Sequence, residues 1–274
     1  MTTEAGNSRA DASWVESMPE VYDRCLGPAV FAPLAGDLAT RAQMYAGGSR
    51  RVLELAAGTG ILTAGLVEAL PEAEITATDL NPAMITYAAA LVPGASWRVA
   101  DAMDLDFADD SFDLVACQCG VMFFPDKVTA YREVRRVLTP GGMFLFNVWD
   151  TVDTHDVEAA LTASLGEVFP EDTPDFVARV PHGYADPDRI RADVQAAGLL
   201  FKAVVRNVLV GRSPSAATLA EGYCLGTPLR FELQERGDLA DLVPQVAAAM
   251  TRRLGEGPVE GRLAAYVIRA HKPG

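Results

Sequence analysis

The chain has 274 residues, half of them hydrophobic, and carries a formal net charge of −14. This length and apolar content predict a globular protein with a substantial core and exclude a disordered chain. The negative charge argues against a nucleic-acid substrate, because phosphate backbones attract clustered Lys and Arg. No apolar run is long enough to span a membrane, and residues 1–13 lack the apolar core of a signal peptide, so we expect a cytoplasmic protein.

The N-terminal segment up to about residue 45 is predicted to form short helices that prolines interrupt. Aromatic residues recur along it at partly helical spacing, including Trp14, Tyr22 and Phe31. Such a segment could cover an edge of a sheet or close over a substrate as a lid, and its spacing leaves both roles open. Tyr22 is therefore a candidate for contact with a substrate or cofactor.

A buried strand followed by a glycine turn is predicted at Arg51–Gly60, with a helix from about residue 62 to residue 70. Gly58 and Gly60 have no Cβ, so the backbone can turn sharply and approach a ligand. The first N–H groups of the helix would face the same place and favour polar or anionic ligand atoms. Glu54 lies inside the strand, and we interpret it as a residue that organises the loop.

An acidic residue, Asp79, ends the second predicted strand, nineteen residues after Gly60. A carboxylate at this place can accept hydrogen bonds from a ribose diol, which indicates a nucleoside-containing cofactor. The turn departs from the dinucleotide-binding fingerprint at two positions, since Ala56 and Thr63 stand where glycine or another small residue is usual. The glycine turn alone would also suit a purely structural role.

Strands and helices alternate five times up to about residue 150, which predicts a doubly wound, mostly parallel sheet with helices on both faces. The third and fourth predicted strands, at 97–100 and 112–117, are followed by Asp101 and Gln118, and the fifth strand is predicted at 144–149. The carboxyl ends of parallel strands lie at one edge of a sheet, so Asp79, Asp101 and Gln118 are expected to converge there.

The second half is predicted to complete the same single domain. Strands are expected at 201–210 and 262–270, and the helical stretches at 151–187 and 214–256 are predicted to be cap insertions around a core at 46–150. The four cysteines, at positions 25, 117, 119 and 224, have no zinc-binding spacing, so they predict reduced thiols and no metal site.

Five motifs, taken in order, resemble the class I S-adenosylmethionine-dependent methyltransferases, and in particular the group of ubiquinone/menaquinone and small-molecule methyltransferases. The motifs are Glu54–Gly60, Asp79–Met84, Asp101–Met103, Phe112–Val115 and Leu138–Gly142. The resemblance is strong over residues 45–150. It implies a seven-stranded sheet with an antiparallel last strand, which residues 263–269 could supply.

The resemblance also implies that S-adenosylmethionine is the cofactor. Asp79 would bind its ribose, Asp101 would bind the adenine amino group, and Gln118 would line the methyl-transfer site. The complete set of residues predicted to bind the cofactor is Glu54, Ala56, Gly58, Gly60, Asp79, Leu80, Asp101, Ala102, Met103 and Gln118.

The sequence identifies no general base clearly. His155 follows the fifth strand, where members of this family often place substrate-contacting residues, so His155 and Tyr22 are the catalytic candidates. The function that the resemblance implies is methyl transfer to an O, N or C atom of a small molecule, a reaction that needs no metal. An NAD-type oxidoreductase, a non-catalytic cofactor-binding protein and a nucleic-acid methyltransferase are the alternatives.

Overall fold

A computed structural model describes residues 18–274, so the predicted N-terminal tail and Trp14 lie outside the described residues. The described chain contains a seven-stranded sheet with the strand order β3-β2-β1-β4-β5-β7-β6. The strands are β1 (Arg51–Glu54), β2 (Glu74–Asp79), β3 (Ser96–Val99), β4 (Phe112–Gln118), β5 (Leu138–Trp149), β6 (Leu200–Ser213) and β7 (Val259–His271). The helices are α1 (Met18–Leu26), α2 (Ala32–Ala46), α3 (Ile61–Ala69), α4 (Pro82–Leu91), α5 (Lys127–Val137), α6 (Asp156–Val168), α7 (Phe176–Arg179), α8 (Pro187–Ala196), α9 (Ala216–Gly226), α10 (Leu229–Gln234) and α11 (Leu239–Leu254).

The first five strands are parallel. β2 and β3 lie on one side of β1, and β4 and β5 lie on its other side, so the order of the strands reverses between β1 and β4. β7 is inserted between β5 and β6 and runs antiparallel to both of them. The predicted doubly wound sheet of seven strands with an antiparallel last strand is therefore confirmed. Such a topology creates a crevice at the carboxyl ends of the strands on either side of the reversal.

Both faces of the central strands are buried, and alternate residues of β1 and β4 enter different clusters of apolar side chains. Leu53 and Val115 belong to the larger cluster, whereas their neighbours Val52 and Leu114 pack with α2 and α3 on the opposite face. This alternation follows from the two-residue period of a strand. It explains why the central strands read as continuous apolar runs in the sequence.

Helix capping follows the sequence signals closely at the start of α4. The Asn81 side chain accepts a hydrogen bond from the Ala83 N–H at 2.8 Å, and Pro82 occupies the first helical position. Both features are favoured at helix N-termini. The carboxyl end of β2 is thereby held in a short turn that leads directly into α4.

Several predicted boundaries were wrong, mainly in the second half. β5 begins at Leu138, directly after α5, because the backbone of the Thr139–Gly142 turn already continues the strand. β6 and β7 are longer than predicted, since they pair along their whole length from Leu200 opposite His271 to Ser213 opposite Val259. The helical stretch predicted after residue 214 is divided into α9, α10 and α11.

The N-terminal segment takes part in two layers of the structure. α2 packs against α3 and covers one face of the sheet, while α1 packs against α9 of the second predicted cap. A π-helical turn, Gly27–Phe31, joins α1 to α2. None of the helices within residues 18–274 combines the length and the apolar character that a membrane crossing requires.

Candidate cofactor-binding site

A cavity of about 790 Å³ lies at the carboxyl ends of the parallel strands. Eight of the ten residues predicted to bind the cofactor line this cavity, namely Ala56, Gly58, Asp79, Leu80, Asp101, Ala102, Met103 and Gln118. The other two, Glu54 and Gly60, do not line it. The volume lies in the upper part of the ~300–1,000 Å³ range of small-molecule sites, so it offers room for a cofactor and a second ligand.

Asp79 connects two loops at the floor of the cavity. Its Oδ2 atom accepts a hydrogen bond from the Gly58 N–H at 2.9 Å, and its Oδ1 atom accepts one from the Asn81 N–H at 2.8 Å. Burial raises the pKa of the Asp79 carboxyl, and the two backbone donors act in the opposite direction. Each carboxylate oxygen retains a further lone pair, so Asp79 can also accept hydrogen bonds from a diol.

The glycine loop after β1 contains three residues with positive φ, namely Ala56 at 51°, Gly58 at 56° and Gly60 at 87°. A Cβ on Gly58 would meet no atom within 4 Å, because this position opens into the cavity. A Cβ on Gly60 would lie 3.0 Å from the Trp97 ring. The two glycines therefore differ in purpose, since Gly58 leaves room for a ligand and Gly60 allows close packing behind the loop.

Glu54 supports the loop from within the core. It is almost completely buried, and its Oε2 atom accepts a hydrogen bond from the Thr63 hydroxyl at 2.7 Å. Burial raises the pKa of Glu54 to about 8, although the Thr63 hydroxyl acts to lower it. This contact joins the end of β1 to the start of α3, which agrees with our interpretation of Glu54 as a residue that organises the loop.

One wall of the cavity comes from the loops after β2 and β3. Asp101 Oδ1 accepts a hydrogen bond from the Met103 N–H at 2.8 Å, so the side chain fixes its own turn. Leu80 is 57% exposed, although it is large and apolar, and Ala102 and Met103 lie beside it in the lining. These residues provide an apolar surface with an acidic group at its edge, which suits a flat heterocycle carrying an amino group.

Gln118 connects the end of β4 to the N-terminal segment. Its Nε2 atom donates a hydrogen bond to the Phe31 carbonyl oxygen at 2.9 Å. Its Oε1 atom is buried and has no hydrogen-bond partner. Buried polar atoms are normally paired, so this acceptor indicates a ligand donor in the cavity. Phe31 also stacks on Tyr22 with 4.6 Å between the ring centroids, and both rings line the same wall.

The two catalytic candidates occupy different positions. Tyr22 lines the cavity, and burial raises the pKa of its hydroxyl well above the usual value. His155 is completely buried behind the lining, where its Nε2 atom lies 2.7 Å from the Ala264 carbonyl oxygen. His155 thus reaches the cavity only through its neighbours.

Three polar residues at the far end of the cavity were missed by the sequence analysis, namely Glu158, His182 and Tyr223. They come from α6, from the connection after α7, and from α9, all within the stretches predicted to be cap insertions. No local motif marks them. Only the spacing of His155 and Glu158, three residues apart at the start of a helix, offered a signal that they share a helix face.

The chain is similar to proteins of one family. Residues 53–146 match the family described as "Methyltransferase domain". The chain is 37% identical over 117 residues to a malonyl-[acyl-carrier protein] O-methyltransferase of Halorhodospira halophila, a match covering 40% of this chain and 39% of the relative. It is 38% identical over 108 residues to a demethylmenaquinone methyltransferase of Deinococcus radiodurans, a match covering 38% of this chain and 45% of the relative. The chain thus spans less than half the length of these curated relatives.

The fold is also shared with solved structures. The phosphoethanolamine N-methyltransferase 2 of Haemonchus contortus, solved in complex with S-adenosyl-L-methionine, aligns with a TM-score of 0.59 at 15% identity. That match covers 95% of this chain and 58% of the solved chain. At this level of identity the likeness concerns the fold. The matched domain and the motifs within it show that residues 53–146 resemble the class I S-adenosylmethionine-dependent methyltransferases.

Proposed function

We propose that the protein transfers a methyl group from S-adenosylmethionine to a small molecule with a largely apolar body. The observation that carries this proposal is that one cavity is lined both by the loops at the strand ends and by the helical cap. Asp79 and Asp101 lie towards the end formed by the loops after β1, β2 and β3, while Trp149 and Phe176 lie towards the end that the helical cap covers. The first end suits a nucleoside, and the second suits an apolar acceptor.

The cofactor end would be held by the chain's own acidic and backbone groups. Asp79 would accept hydrogen bonds from the ribose hydroxyls, Asp101 would accept from the adenine amino group, and Leu80 would pack against the ring. Gly58 keeps its side of the loop free of side-chain atoms, which allows close approach of the ligand. The cofactor supplies an electrophilic methyl group on a sulfonium cation, and the acidic surroundings tolerate that charge.

The acceptor end would orient the nucleophile and exclude water. Aromatic and aliphatic side chains dominate this part of the lining, including Phe123, Trp149, Phe176 and Val177. Holding two reactants in line within an apolar enclosure can supply much of the rate of a displacement reaction. Gln118 and His182 add polar atoms there that could orient an O, N or C acceptor.

One relative supports an acceptor of this kind, since its name concerns demethylmenaquinone, and the name of another concerns malonyl-[acyl-carrier protein]. The net charge of −14 adds an argument against a nucleic-acid acceptor.

The test begins with binding of S-adenosylhomocysteine, measured by isothermal titration calorimetry, with NADH as the matched comparison. We expect S-adenosylhomocysteine to bind and NADH to give no heat of binding. The protein is then incubated with S-adenosylmethionine carrying an isotopically labelled methyl group and with fractionated metabolite extracts. A labelled small-molecule product in mass spectrometry would support the proposal. Binding of NADH alone, or cofactor binding without any labelled product, would contradict it.

A further inference from the structure

Four ionisable side chains meet at the acceptor end of the cavity, three of them in its lining, and the proposed methyl transfer does not require them as a group. His155, Glu158 and His182 each offer one ligand atom, and these atoms lie within 4.8 Å of one another. All three side chains are buried. Tyr223 completes the cluster by donating a hydrogen bond from its hydroxyl to Glu158 Oε1 at 2.5 Å.

Two atoms of this cluster have no hydrogen-bond partner. They are His155 Nδ1 and Glu158 Oε2, both buried, and they face each other at 3.6 Å. Leaving such groups unpaired in a protein interior costs free energy. Two acceptor atoms in this arrangement favour a positive charge between them or beside them.

The hydrogen bonds of the two imidazoles determine which nitrogen of each ring is free. His155 Nε2 lies 2.7 Å from the Ala264 carbonyl oxygen, and His182 Nδ1 lies 2.6 Å from the Asp150 carbonyl oxygen. A carbonyl oxygen can only accept, so His182 Nδ1 carries the proton of its ring. The Ala264 N–H also lies 3.3 Å from His155 Nε2, but the shorter contact to the carbonyl oxygen assigns the proton of His155 to Nε2. The lone pairs therefore remain on His155 Nδ1 and His182 Nε2. Histidines that bind metals typically donate their other N–H to a backbone carbonyl or a carboxylate in this way.

We propose that His155, Glu158 and His182 bind a divalent transition-metal ion of the zinc type. Two imidazoles and one carboxylate form a donor set that suits Zn²⁺ and its neighbours, whereas Mg²⁺ and Ca²⁺ prefer oxygen ligands alone. Ligand atoms of a tetrahedral zinc site with bonds near 2.0 Å lie about 3.3 Å apart. The 3.6 Å between His155 Nδ1 and Glu158 Oε2 is close to this spacing. The three ligand atoms lie within 4.8 Å of one another, so side-chain shifts of up to about 1.5 Å would complete the site.

The hydrogen bond from Tyr223 gives the carboxylate the outer partner that metal-bound carboxylates usually have. Glu158 and His182 lie in the cavity lining, so a further coordination position would open towards the acceptor. This part of the inference depends on the proposed function, and it narrows the acceptor to a molecule that presents a lone-pair donor atom to the metal. The cysteine spacing could not reveal such a site, because its ligands are two histidines and a glutamate from two separate segments of the chain.

The test uses the full-length protein with any affinity tag removed. Metal content is measured by inductively coupled plasma mass spectrometry, and chelator-stripped protein is titrated with Zn²⁺ and with Co²⁺. We expect one equivalent of metal, and a Co²⁺ absorption spectrum without sulfur-to-cobalt charge transfer. A charge-transfer band would assign the metal to the cysteines, and the absence of stoichiometric binding would show that the cluster binds no metal; either result overturns the proposal.

Three variants complete the test. We expect His182→Ala to weaken Zn²⁺ binding more than ~100-fold and Tyr223→Phe to weaken it ~10–100-fold, the range known for outer partners. His271→Ala is the control, because His271 pairs with Met143 at the opposite end of the sheet. The affinity of this variant for Zn²⁺ should equal that of the wild type. If His182→Ala fails to fold, Tyr223→Phe still decides the question, since it removes one hydroxyl. Unchanged affinity in Tyr223→Phe would contradict the site.

Binding of S-adenosylhomocysteine is measured on the same samples. Metal binding without binding of S-adenosylhomocysteine would refute the proposed function and would still support the metal site. The reverse result would refute the metal site alone.

Discussion

Asp79 Oδ2 accepts a hydrogen bond from the Gly58 N–H at 2.9 Å, so the end of β2 and the glycine loop after β1 hold each other in place. The same carboxylate is the group expected to bind the ribose. One side chain therefore shapes the loop and contacts the ligand, and its removal should affect both.

Asp79→Ala should weaken the binding of S-adenosylhomocysteine, because two hydrogen bonds from the ribose and the support of the loop are lost. A hydrogen bond to a charged group contributes about 1.5–3 kcal/mol, so a loss of at least tenfold in affinity is expected by isothermal titration calorimetry. Asp106→Asn is the matched control, since Asp106 is exposed in the nearby acidic loop and does not line the cavity. Equal affinity for the wild type and Asp79→Ala would place the ribose elsewhere.

The first half of the site could be predicted from the sequence because its chemistry lies on single loops at strand ends. Asp79 and Gln118 end a strand and Asp101 follows one, and parallel strands bring such positions to one edge whatever the detailed packing. Glu158, His182 and Tyr223 could not be predicted, since they meet only after separate cap segments pack together. Long-range packing of this kind leaves no local pattern.

Thr63 departs from the dinucleotide fingerprint, but it supports the glycine loop of this site through a hydrogen bond. In the sequence it counts against a dinucleotide fingerprint, where a small residue is usual. In the structure its hydroxyl donates to the buried carboxyl group of Glu54. Residue type and position were sufficient to reject the fingerprint, but the contact depends on how α3 lies against β1.

The two loop glycines should respond differently to substitution by alanine. Both have positive φ, so either change costs about 1–2 kcal/mol of backbone strain. Gly60→Ala also brings a Cβ to 3.0 Å from Trp97 and 3.3 Å from Ala88, and it should lower the unfolding free energy further. Gly58→Ala places its Cβ in the cavity and should weaken S-adenosylhomocysteine binding out of proportion to its loss of stability.

Urea denaturation and calorimetric titration of Gly58→Ala and Gly60→Ala measure the two effects. Similar unfolding free energies for both variants would mean that the packing behind Gly60 relaxes readily. Undiminished ligand affinity in Gly58→Ala would mean that the ligand does not approach this part of the loop.

Glu54 should make the stability of the protein depend on pH. Its carboxyl has a pKa of about 8 in the folded protein against an ordinary value of 4.5, because burial disfavours the charged form. The folded protein therefore keeps a proton that the unfolded chain releases. The stability from this group is fully present below about pH 4.5 and is lost as the pH rises towards about 8, by up to about 1.4 kcal/mol per pH unit.

Glu54→Gln should remove this dependence, because the amide carries no titratable proton and its oxygen can still accept from Thr63. Unfolding free energies of the wild type and the variant are measured by urea denaturation at about pH 5 and about pH 8. The drop between the two conditions should be smaller in Glu54→Gln. Glu68→Gln, an exposed change on α3, is the control and should behave as the wild type does. Parallel pH profiles for the wild type and Glu54→Gln would show that Glu54 is ionised in the fold.

Gln118 should hold the N-terminal segment against the sheet. Its Nε2 atom donates to the Phe31 carbonyl oxygen at 2.9 Å, across 87 residues of sequence, and this hydrogen bond joins the π-helical turn to the end of β4. Gln118→Ala leaves the Phe31 carbonyl without this donor, which should cost about 1 kcal/mol and increase opening of the Gly27–Phe31 turn. Hydrogen–deuterium exchange followed by mass spectrometry measures this opening directly.

The control is Gln195→Ala, which changes the same residue type at an exposed position of α8. Exchange at residues 27–31 should rise in Gln118→Ala and stay at the wild-type rate in Gln195→Ala. Adding S-adenosylhomocysteine should slow exchange at residues 27–31 in the wild type. It should slow exchange less in Gln118→Ala, because the free Oε1 atom of Gln118 is lost with the side chain. Identical exchange in all three proteins would show that apolar packing around Phe31, including its stacking on Tyr22, is enough to hold the turn.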